Sequence, residues 1–515
     1  MTNEVLTPEE MAEVDRKAIA RGPLPGIGLM GNAGSAVAQV ALERYPQASR
    51  AHILCGPGNN GGDGYVVAKL LKEAGMSVSV WADHPPRAGS DAALAAADCP
   101  EPVQALAGFA PESGSIVIDA LFGAGLSKQV EGNDAQAISR CAEAKVPIVA
   151  VDLPSGVSGK SGKVLGAAFQ ADVTVTFVRK KPGHLLLPGR SLCGEVIVAD
   201  IGIPDDIVTE AGPRRFENGP ALWMAEFPFL ELDTHKYRRG HVGVFSGGPT
   251  ATGAARLSAM AAARAGAGAV TVLSPVDALV ANAAHLTSIM LRPAETLQEI
   301  GDFLRERRPD ALVYGPGLGG GPETGALLID MLTEARDYLQ AIVLDASALT
   351  SLARQADAFF VVSTREGAPS IVLTPHEGEF GRLFPDLAAD KALSKLERAN
   401  AAAMRAGGVV ILKGADTVIA APDGRAVINS NGTPLLATAG SGDVLSGLVA
   451  ALLAQHMPPF HAACAGVWLH AEAARRFGPG LIAEDLPLAL APVLRELLYS
   501  SGCSGDCVSR FLPKV

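Results

Sequence analysis

The stretch AHILCGPGNNGGDG, residues 51–64, decides how the first half of the chain is interpreted. A short apolar run ends in a glycine-rich loop over residues 56–64, and a helical pattern follows over residues 65–74. This order predicts a buried strand of a parallel sheet that leads into a helix. The start of the loop has the spacing G-x-G-x-x-G, and Asp83 ends the next predicted strand. On pattern alone this is the dinucleotide-binding fingerprint, in which the acid contacts the ribose.

The same loop is richer in polar groups than a tight turn requires. Asn59 and Asn60 add amide donors and carbonyl acceptors, and Asp63 is expected in the first turn of the helix. Such a loop suits a polar ligand or an ion held by oxygen atoms. A glycine-rich turn without a ligand is the alternative interpretation.

Short apolar runs separated by helical patterns continue on both sides of this stretch. Upstream, TPEE at residues 7–10 has the form of a capping box and predicts a helix that begins at Pro8. A second helical pattern covers residues 29–45. Further strands are predicted at residues 77–81, 116–118, 148–151, 173–178 and 195–199. The alternation predicts a mostly parallel sheet with helices on both faces.

The alternation stops between about residues 213 and 235, where GPRRFENGP (residues 212–220) is typical of a linker. A second series follows, with strands predicted at residues 240–245, 269–273, 311–314, 341–344, 370–373 and 409–412, and helices at 251–265 and 441–455. We therefore predict an α/β fold class with two domains, residues 1–215 and 225–500. Residues 501–505 are expected to form a loose tail.

The composition of the 515-residue chain limits the classes of function. Hydrophobic residues make up 48% and charged residues 19%, which argues against disorder. Glycine is frequent, with 57 residues, and the net charge is −11. This acidic balance gives no support for nucleic-acid binding. Anionic ligands would instead have to be received by backbone N–H groups, helix N-termini or metal ions.

Cysteine usage and hydropathy indicate where the protein works. The seven cysteines are scattered, without a disulfide framework or a C-x-x-C pair, and Cys503 and Cys507 are interpreted as free thiols on the tail. The first twenty residues are acidic and lack the apolar segment of a signal peptide, and no run of 18 apolar residues predicts a membrane span. We expect a homo-oligomer of the reducing cytoplasm, with no nucleic-acid or membrane partner.

Two further loops of the first domain follow strands and carry an aspartate there. DALFGAGL covers residues 119–126, and VDLPSG covers residues 151–156. Loops at the carboxyl ends of parallel strands share one edge of the sheet, so Asp119 and Asp152 are expected to face the asparagine-rich loop. A single aspartate at a strand end is often a helix cap, whereas two of them opposite such a loop favour a site.

GPGNNGGDG, DALFGAGL and VDLPSG, in this order after LMGNAG (residues 29–34), closely resemble the NAD(P)H-hydrate epimerase domain over roughly residues 5–205. The resemblance implies a Rossmann-like three-layer domain in which Asp152 touches the hydrated nicotinamide nucleotide as its acid or base. It also implies a K⁺ ion held by Asn60, Asp119 and Ser155, whose oxygens suit K⁺ better than sulfur or imidazole. The other implied ligand contacts are Asn59, Asn60, Gly61, Gly62, Asp63, Gly123, Ala124, Gly125, Leu126, Ser127, Lys128 and Gln129. Gly31 and residues 127–129 depart from the usual family pattern.

The strongest feature of the second domain is TAGSGDVLSG, residues 438–447, which opens a long apolar helix. Glycines at a helix start leave N–H groups free, and the helix dipole favours negative charge there, so an anion site is predicted. Asp443 is either a mere first-turn acid or the base for a hydroxyl that receives a phosphoryl group. Loops at residues 315–319, 374–379 and 413–417 also follow predicted strands and support the same site.

These segments, together with HKYRRGHVGVFSGG (residues 235–248), resemble the ADP-dependent NAD(P)H-hydrate dehydratases over roughly residues 230–490, and more widely the ribokinase-like fold. The resemblance implies two sets of contacts. Those to the adenine nucleotide are Lys413, Gly414, Ala415, Asp416, Thr417 and Gly442; those to the hydrate are Ala254, Gly317, His376 and Asp443. Ser347 stands where the family usually has Asp, which removes a carboxylate, and Ser441 stands where Thr is usual, which keeps the hydroxyl.

Both resemblances in one chain imply a bifunctional repair enzyme for NADHX and NADPHX, in which water has added to the nicotinamide ring. The first domain would interconvert the R and S epimers. The second would dehydrate the S form with ADP to give NAD(P)H, AMP and phosphate, with Mg²⁺ neutralising the nucleotide phosphates. The alternatives are a vitamin-type small-molecule kinase fused to a nucleotide-binding domain, and a non-catalytic binding module. A dehydrogenase is disfavoured because no donor and acceptor pair for hydride transfer is visible beside the glycine loop.

Overall fold

The computed structural model describes residues 3–229, 234–236, 238–334 and 336–500. The chain divides into two compact units, unit 1 (Met1–Phe216) and unit 2 (Glu217–Val515). The predicted tail with Cys503 and Cys507 lies outside the described residues. The cysteines within the described residues are free thiols.

Unit 1 is built on one parallel sheet. Its strands are β1 (Ala51–Cys55), β2 (Val78–Trp81), β3 (Val103–Gln104), β4 (Ile116–Ala120), β5 (Ile148–Val151), β6 (Val173–Phe177) and β7 (Glu195–Ala199). They pair in the order β3-β2-β1-β4-β5-β6-β7, and every pair is parallel. The chain leaves β1 towards β3 on one side and returns to the other side at β4. In such sheets the ligand crevice lies outside the carboxyl ends of the strands at the point of reversal.

Helices cover both faces of this sheet. They are α1 (Pro8–Arg21), α2 (Gly26–Arg44), α3 (Asn59–Glu73), α4 (Asp91–Asp98), α5 (Gly132–Ala144), α6 (Gly189–Leu192) and α7 (Asp205–Glu210). Alternate residues of β1 enter opposite apolar clusters, because Ile53 packs with residues of α1 to α4 and Leu54 packs with residues of α5. The predicted three-layer α/β/α arrangement is thereby confirmed. The capping box at Thr7 is also present, since its hydroxyl accepts from the Glu10 N–H.

The helix after the glycine-rich loop begins six residues earlier than the sequence pattern predicts. It starts at Asn59 instead of Tyr65, so Asp63 lies in its second turn and not in its first. Glycines weaken helix propensity, which is why the pattern favoured a loop. Here close packing requires them, because a Cβ atom on Gly61 would overlap the carbonyl oxygen of Gly56, and one on Gly64 would lie 2.7 Å from the Ala120 side chain.

The predicted linker at residues 212–220 is not wholly irregular. It contains a short strand, β8 (Arg215–Glu217). Val5 donates a backbone hydrogen bond to the Arg215 carbonyl at 2.9 Å, and Glu4 and Phe216 form an antiparallel bridge. Residues near the N-terminus therefore pair with the backbone of this segment, a long-range contact that a local pattern cannot reveal.

Unit 2 contains a second sheet. Its strands are β9 (His241–Phe245), β10 (Ala269–Ser274), β11 (Met290–Pro293), β12 (Ala311–Tyr314), β13 (Ala341–Leu344), β14 (Ser370–Leu373), β15 (Val409–Leu412), β16 (Val418–Ala420) and β17 (Ala426–Ile428). These strands follow the order β11-β10-β9-β12-β13-β14-β15-β16-β17. The pairs from β11 to β15 are parallel, and β15, β16 and β17 are antiparallel neighbours. The sequence analysis missed β11, β16 and β17, which are only three or four residues long.

Unit 2 also contains a series of helices. They are α8 (Pro220–Trp223), α9 (Thr252–Arg264), α10 (Leu279–Ala283), α11 (Leu297–Arg307), α12 (Pro322–Glu334), α13 (Ser347–Leu352), α14 (Ala356–Ser363), α15 (Glu377–Leu383), α16 (Pro385–Ala389), α17 (Lys395–Ala406), α18 (Ser441–Ala454), α19 (Pro459–Phe477) and α20 (Leu486–Ser500). Every residue of α18 from Val444 to Ala454 is buried. In the described part of the chain, no helix combines the length and the apolar character that a membrane crossing requires.

Candidate active sites

Unit 1 has a cavity of about 700 Å³ at the carboxyl ends of β1, β4 and β5, where the strand order reverses. Most of the predicted ligand contacts line it. These are Asn59, Asn60, Asp63, Gly123, Ala124, Gly125, Leu126, Ser127, Lys128, Gln129 and Asp152. Gly61, Gly62, Asp119 and Ser155 are buried and are not part of the lining. The loops after β4 and β5 and the start of α3 therefore form one part of the cavity wall.

Asp152 is held firmly at the end of β5. Its backbone lies in the left-handed region, with φ at 62°, which a non-glycine residue adopts only when its surroundings enforce it. One carboxylate oxygen accepts from Thr176 Oγ1 at 2.9 Å and from Lys181 Nζ at 2.7 Å. The other accepts from the Ala124 N–H at 2.9 Å. Three donors thus fix the carboxylate at the cavity wall.

The charge of Asp152 is stabilised by its neighbours. Burial by itself would raise the pKa of the carboxyl, but the Lys181 ammonium and the hydrogen bonds outweigh it and lower the pKa to about 2. His184 supports the backbone, because its Nε2 lies 2.7 Å from the Asp152 carbonyl oxygen and its Nδ1 accepts from the Lys181 N–H. Burial lowers the pKa of His184 to about 4, so the imidazole is neutral and donates from Nε2.

Lys181 and His184 were missed by the sequence analysis. They lie in KKPGH, residues 180–184, which follows β6 at the same edge of the sheet as the other polar loops. The signal was available, because a charged loop after a buried parallel strand belongs to the same crevice.

Asp119 and Ser155 form a fully buried pair beneath the cavity. Asp119 Oδ1 accepts from Ser155 Oγ at 2.6 Å, and its Oδ2 accepts from the Ser155 N–H at 2.7 Å. The Phe122 N–H donates to Ser155 Oγ at 2.8 Å. Burial raises the pKa of Asp119 to about 7, although these hydrogen bonds partly oppose it. Among the described residues, no lysine, arginine or histidine pairs with this carboxylate.

The third predicted K⁺ ligand also carries an unsatisfied polar group. The Asn60 side-chain nitrogen is buried and has no hydrogen-bond partner in the part of the chain that the structure describes. The amide lies against Gly123, since a Cβ atom there would be 2.9 Å from Asn60 Oδ1. A buried carboxylate without a cation, beside hydroxyl and amide groups, suits an alkali-metal ion bound by oxygen. The described residues contain no group of three or more His, Cys, Asp or Glu side chains that could hold a metal.

The predicted ribose acid is not at this site. Asp83 does not line the cavity. Its two oxygens accept from the Leu106 N–H at 3.1 Å and from the Asn133 amide at 2.9 Å. The dinucleotide-binding pattern is therefore wrong about Asp83, which does not reach the cavity. The glycine spacing reflects the close approach of α3 to β1 and β4.

In unit 2, Asp443 and Lys413 lie close together with a third residue, Asp345. Asp345 is buried and accepts from Lys413 Nζ at 2.8 Å and from Ser446 Oγ at 2.8 Å. Burial raises the pKa of Asp443 to about 6, helped by the Asp345 charge and opposed by Lys413. Lys413 keeps its charge, because Asp345 and Glu379 raise its pKa against the effect of burial.

The start of α18 has the form expected of an anion site. Gly440 precedes the helix with φ at 90°, and Ser441, Gly442 and Asp443 form its first turn. A Cβ atom on Gly442 would lie 3.4 Å from Lys413 Nζ, so the lysine ammonium stands beside the free N–H groups of the helix. An ammonium and free backbone donors at one point can receive a phosphate.

The predicted contacts 413–417 form a tight turn after β15. Thr417 Oγ1 accepts from the Gly414 N–H at 3.1 Å and donates to the Gly414 carbonyl at 2.7 Å. The Asp416 carboxylate accepts from Lys395 Nζ at 2.6 Å. The threonine hydroxyl and the Asp416 side chain thus shape the turn that carries Lys413.

The remaining predicted hydrate contacts fall into two places. Gly317, with φ at 73°, packs on α9, since a Cβ atom there would lie 3.3 Å from the Ala254 side chain. One turn further along α9, Ser258 Oγ donates to the Asp443 carbonyl at 2.7 Å. His376 caps α15 through Nδ1 and is half exposed. The Glu379 carboxylate accepts from the His376 N–H at 2.9 Å.

Comparison with known proteins matches both halves of the chain. Residues 26–183 match the family model described as YjeF-related protein N-terminus, and residues 242–491 match the model described as NAD(P)H-hydrate dehydratase. A bifunctional NAD(P)H-hydrate repair enzyme of Moorella thermoacetica is 38% identical over 96% of this chain and 97% of its own length. The chain belongs to the bifunctional NAD(P)H-hydrate repair enzymes. A repair enzyme of the same description from Escherichia coli is 36% identical over 89% of this chain and 87% of its own length.

A solved structure is also similar to one part of this repair enzyme. The ADP/ATP-dependent NAD(P)H-hydrate dehydratase of Bacillus subtilis, co-crystallised with ATP and Mg²⁺, is 26% identical and covers 54% of this chain and 97% of its own, with a TM-score of 0.47. The two family matches lie on either side of the division between unit 1 and unit 2. The predicted α/β class, Rossmann-like in unit 1 and ribokinase-like in unit 2, is confirmed.

Proposed function

We propose that this repair enzyme interconverts R- and S-NAD(P)HX in unit 1 and dehydrates S-NAD(P)HX in unit 2, with ADP as the phosphoryl donor. The observation that carries the proposal is that the chain resembles a bifunctional repair enzyme over 96% of its length and has a different polar site in each unit. We further propose that it works in the cytoplasm. The homo-oligomeric state expected from the sequence stays a prediction.

In unit 1 the ligand would occupy the cavity between the loop at residues 123–129 and the start of α3. Asn59, Asn60 and Asp63 offer hydrogen bonds on one side, and Asp152 faces the nicotinamide ring. Because the pKa of Asp152 is about 2, its carboxylate is charged at neutral pH and can accept a proton. Lys181 and Thr176 keep it in place, so little reorganisation is needed when the proton moves.

Asn60, Asp119 and Ser155 would hold the K⁺ ion. A bound ion would neutralise the Asp119 carboxylate and keep the loop that follows β4 in a fixed position against the ligand. Support comes from the burial of Asp119, which has no cationic partner among the described residues, and from the Asn60 carbonyl oxygen, which lies beside Gly123.

In unit 2 the turn at residues 413–417 and Gly442 would bind ADP, with Lys413 and the start of α18 on its phosphates. Ala254, Gly317 and His376 would contact the hydrate. A Mg²⁺ ion fits such a site mainly through nucleotide phosphates and water, because both oxygens of Asp345 already bond to Lys413 and Ser446. When bound, it supplies charge neutralisation for the transferred phosphoryl group.

Asp443 would take the proton of the C6 hydroxyl as that oxygen attacks the terminal phosphoryl group of ADP. AMP leaves, and phosphate then leaves C6 with the electron pair of the C–O bond. Loss of a proton from C5 re-forms the ring double bond of NAD(P)H. Phosphorylation drives the reaction because phosphate is a far better leaving group than hydroxide.

The test is incubation of the purified chain with mixed NADHX epimers and ADP, followed by absorbance at the NADH band. Recovery of the band with release of AMP and phosphate supports the proposal. A stable phosphorylated product would support the kinase alternative instead, and no recovery would refute repair.

A further inference from the structure

We propose that Asp15, on α1, is a second proton-transfer residue of the unit 1 cavity and acts together with Asp152 in epimerisation. The inference rests on the proposed function of unit 1. It adds a catalytic residue from a helix that lies outside the strand-end loops, and no motif of the sequence analysis pointed to it.

The position of Asp15 is the first argument. The residues of α1 that line the cavity are Pro8, Met11, Ala12, Asp15 and Ile19. They recur at helical spacing, so one face of α1 forms a wall of the cavity. On this otherwise apolar wall Asp15 carries the one carboxyl group. No described residue donates a hydrogen bond to it or forms an ion pair with it.

A partly buried carboxyl without a partner is costly to a fold, so its place on a cavity wall calls for a ligand-directed role. The structure could have offered a partner, because α1 pairs two of its other acids. Glu10 bonds to Thr7 and to Arg215, and Glu13 pairs with Arg16 and Lys17. Asp15 is left to face the space in which the ligand would lie.

The charges around the cavity separate its carboxyl groups into acids and a base. Burial raises the pKa of Asp15 to about 6, with Lys181 lowering it and Asp152 raising it. Burial also raises the pKa of Asp63 well above its ordinary value. Asp152 remains charged. The charged or titratable groups that line the cavity are Asp15, Asp63, Asp91, Lys128, Asp152 and Lys181.

Carboxyl groups whose pKa values differ in this way are suited to acid and base roles in one site. Burial favours the protonated form of Asp63, which can donate a hydrogen bond to the ligand. Asp15 differs because it gains and loses its proton near neutral pH, which is the property that a proton-transfer residue needs.

The step opens the hydrated ring. Asp152 takes the proton of the C6 hydroxyl, the oxygen lone pair forms a C6 carbonyl, and the C6–N1 bond breaks with its electron pair going to N1. Asp15 gives its proton to N1. Rotation about C5–C6 presents the other face of the carbonyl, and the reverse transfers close the ring as the other epimer. Each carboxyl group ends in its starting state, and no further reactant is consumed.

The experiment uses the full chain with purified R-NADHX and ADP. NADH then appears only after epimerisation, whereas purified S-NADHX reports on unit 2 alone. Asp15→Asn should slow recovery from R-NADHX by about 100-fold or more, the usual contribution of general acid–base catalysis. Recovery from S-NADHX should be unchanged. Glu9→Gln, which removes an exposed charge from the same helix, is the matched control and should epimerise like the native chain.

A pH profile separates proton transfer from a structural role. After subtraction of the spontaneous reaction, the native rate should fall as pH rises through about 6, because Asp15 must be protonated to act. Asp15→Asn should lose this limb, and Asp15→Glu should restore it at a reduced rate. A native-like rate in Asp15→Asn, or a slow variant that keeps the limb, would overturn the proposal. If the native chain recovered NADH from S-NADHX but not from R-NADHX beyond the spontaneous rate, the proposed epimerase function itself would fail.

Discussion

Replacement of Lys181 by Met tests whether this lysine holds Asp152 in its charged form. The Lys181 side chain is 2% exposed and that of Asp152 is 16% exposed, so the pair belongs to the buried class. Removal of one member of a buried pair costs about 3–5 kcal/mol, because the remaining charge is left without compensation. We expect a loss of this size in the free energy of unfolding of unit 1 at pH 7, together with loss of epimerisation.

The pKa of Asp152 determines how the free energy of unfolding changes with pH in the native chain and in the variant. In the native chain the pKa of Asp152 is lowered from 3.8 to about 2, so its stabilisation is present above about pH 4 and is lost as pH falls towards 2. Without Lys181, burial raises the folded-state pKa above the unfolded value. The variant then loses stability as pH rises from about 4 towards that raised pKa. The difference in stability between the native chain and the variant should therefore grow between pH 4 and pH 7.

Urea unfolding at several pH values measures this difference. Lys72→Met is the control, because Lys72 pairs with Glu101 at an exposed position and should change stability by no more than about 1 kcal/mol. Lys181→Met combined with Asp152→Asn should regain much of the lost stability, since the uncompensated charge is gone. A Lys181→Met chain as stable as the native one at pH 7, or a difference that does not change with pH, would refute the reasoning.

The remaining predictions concern the two reactions. Asp443→Asn should reduce ADP-dependent dehydration by about 100-fold or more while epimer exchange continues; loss of both activities in a folded variant would contradict the division of labour. Asp152→Asn should do the converse, so that repair stops once the S fraction is consumed, as read from the final NADH absorbance. Asp119→Asn should abolish any acceleration of epimerisation by added KCl relative to NaCl, and a response equal to the native one would remove Asp119 from the ion site. Asp345→Asn should free Lys413 and raise the KM for ADP more than it lowers kcat for S-NADHX; an unchanged KM would show that Lys413 needs no support.

Much of the fold could be predicted, because buried parallel strands appear in the sequence as short apolar runs. Residues 51–55 and 148–151 were placed correctly, since nothing in their surroundings competes with the pattern. The short strands were missed for the opposite reason. Residues 4 and 5 pair with the backbone of β8, and β16 and β17 pair with each other and β16 with β15. The local sequence pattern does not reveal these contacts.

The site residues can also be separated into those that the local sequence predicts and those that it does not. Glycine loops and aspartates at strand ends could be predicted, because parallel topology brings them to one edge. Lys181 follows β6 and carried the same signal, although it was missed. Asp15 could not be assigned in this way, because it lies on a helix and only the folded structure shows that this helix lines the cavity. Asp83 shows the reverse error, since its spacing matched a motif while its side chain bonds to Leu106 and Asn133.

The uniform strand direction in unit 1 has a practical use. All of its polar loops lie at one edge, so the turns before the strands, such as those at Gly75 and Gly114, are exposed and remote from the cavity. A small epitope or a fluorescent reporter inserted in these turns would leave the cavity wall intact. Unit 1 could then be observed, immobilised or attached to other modules while its chemistry proceeds at the opposite edge.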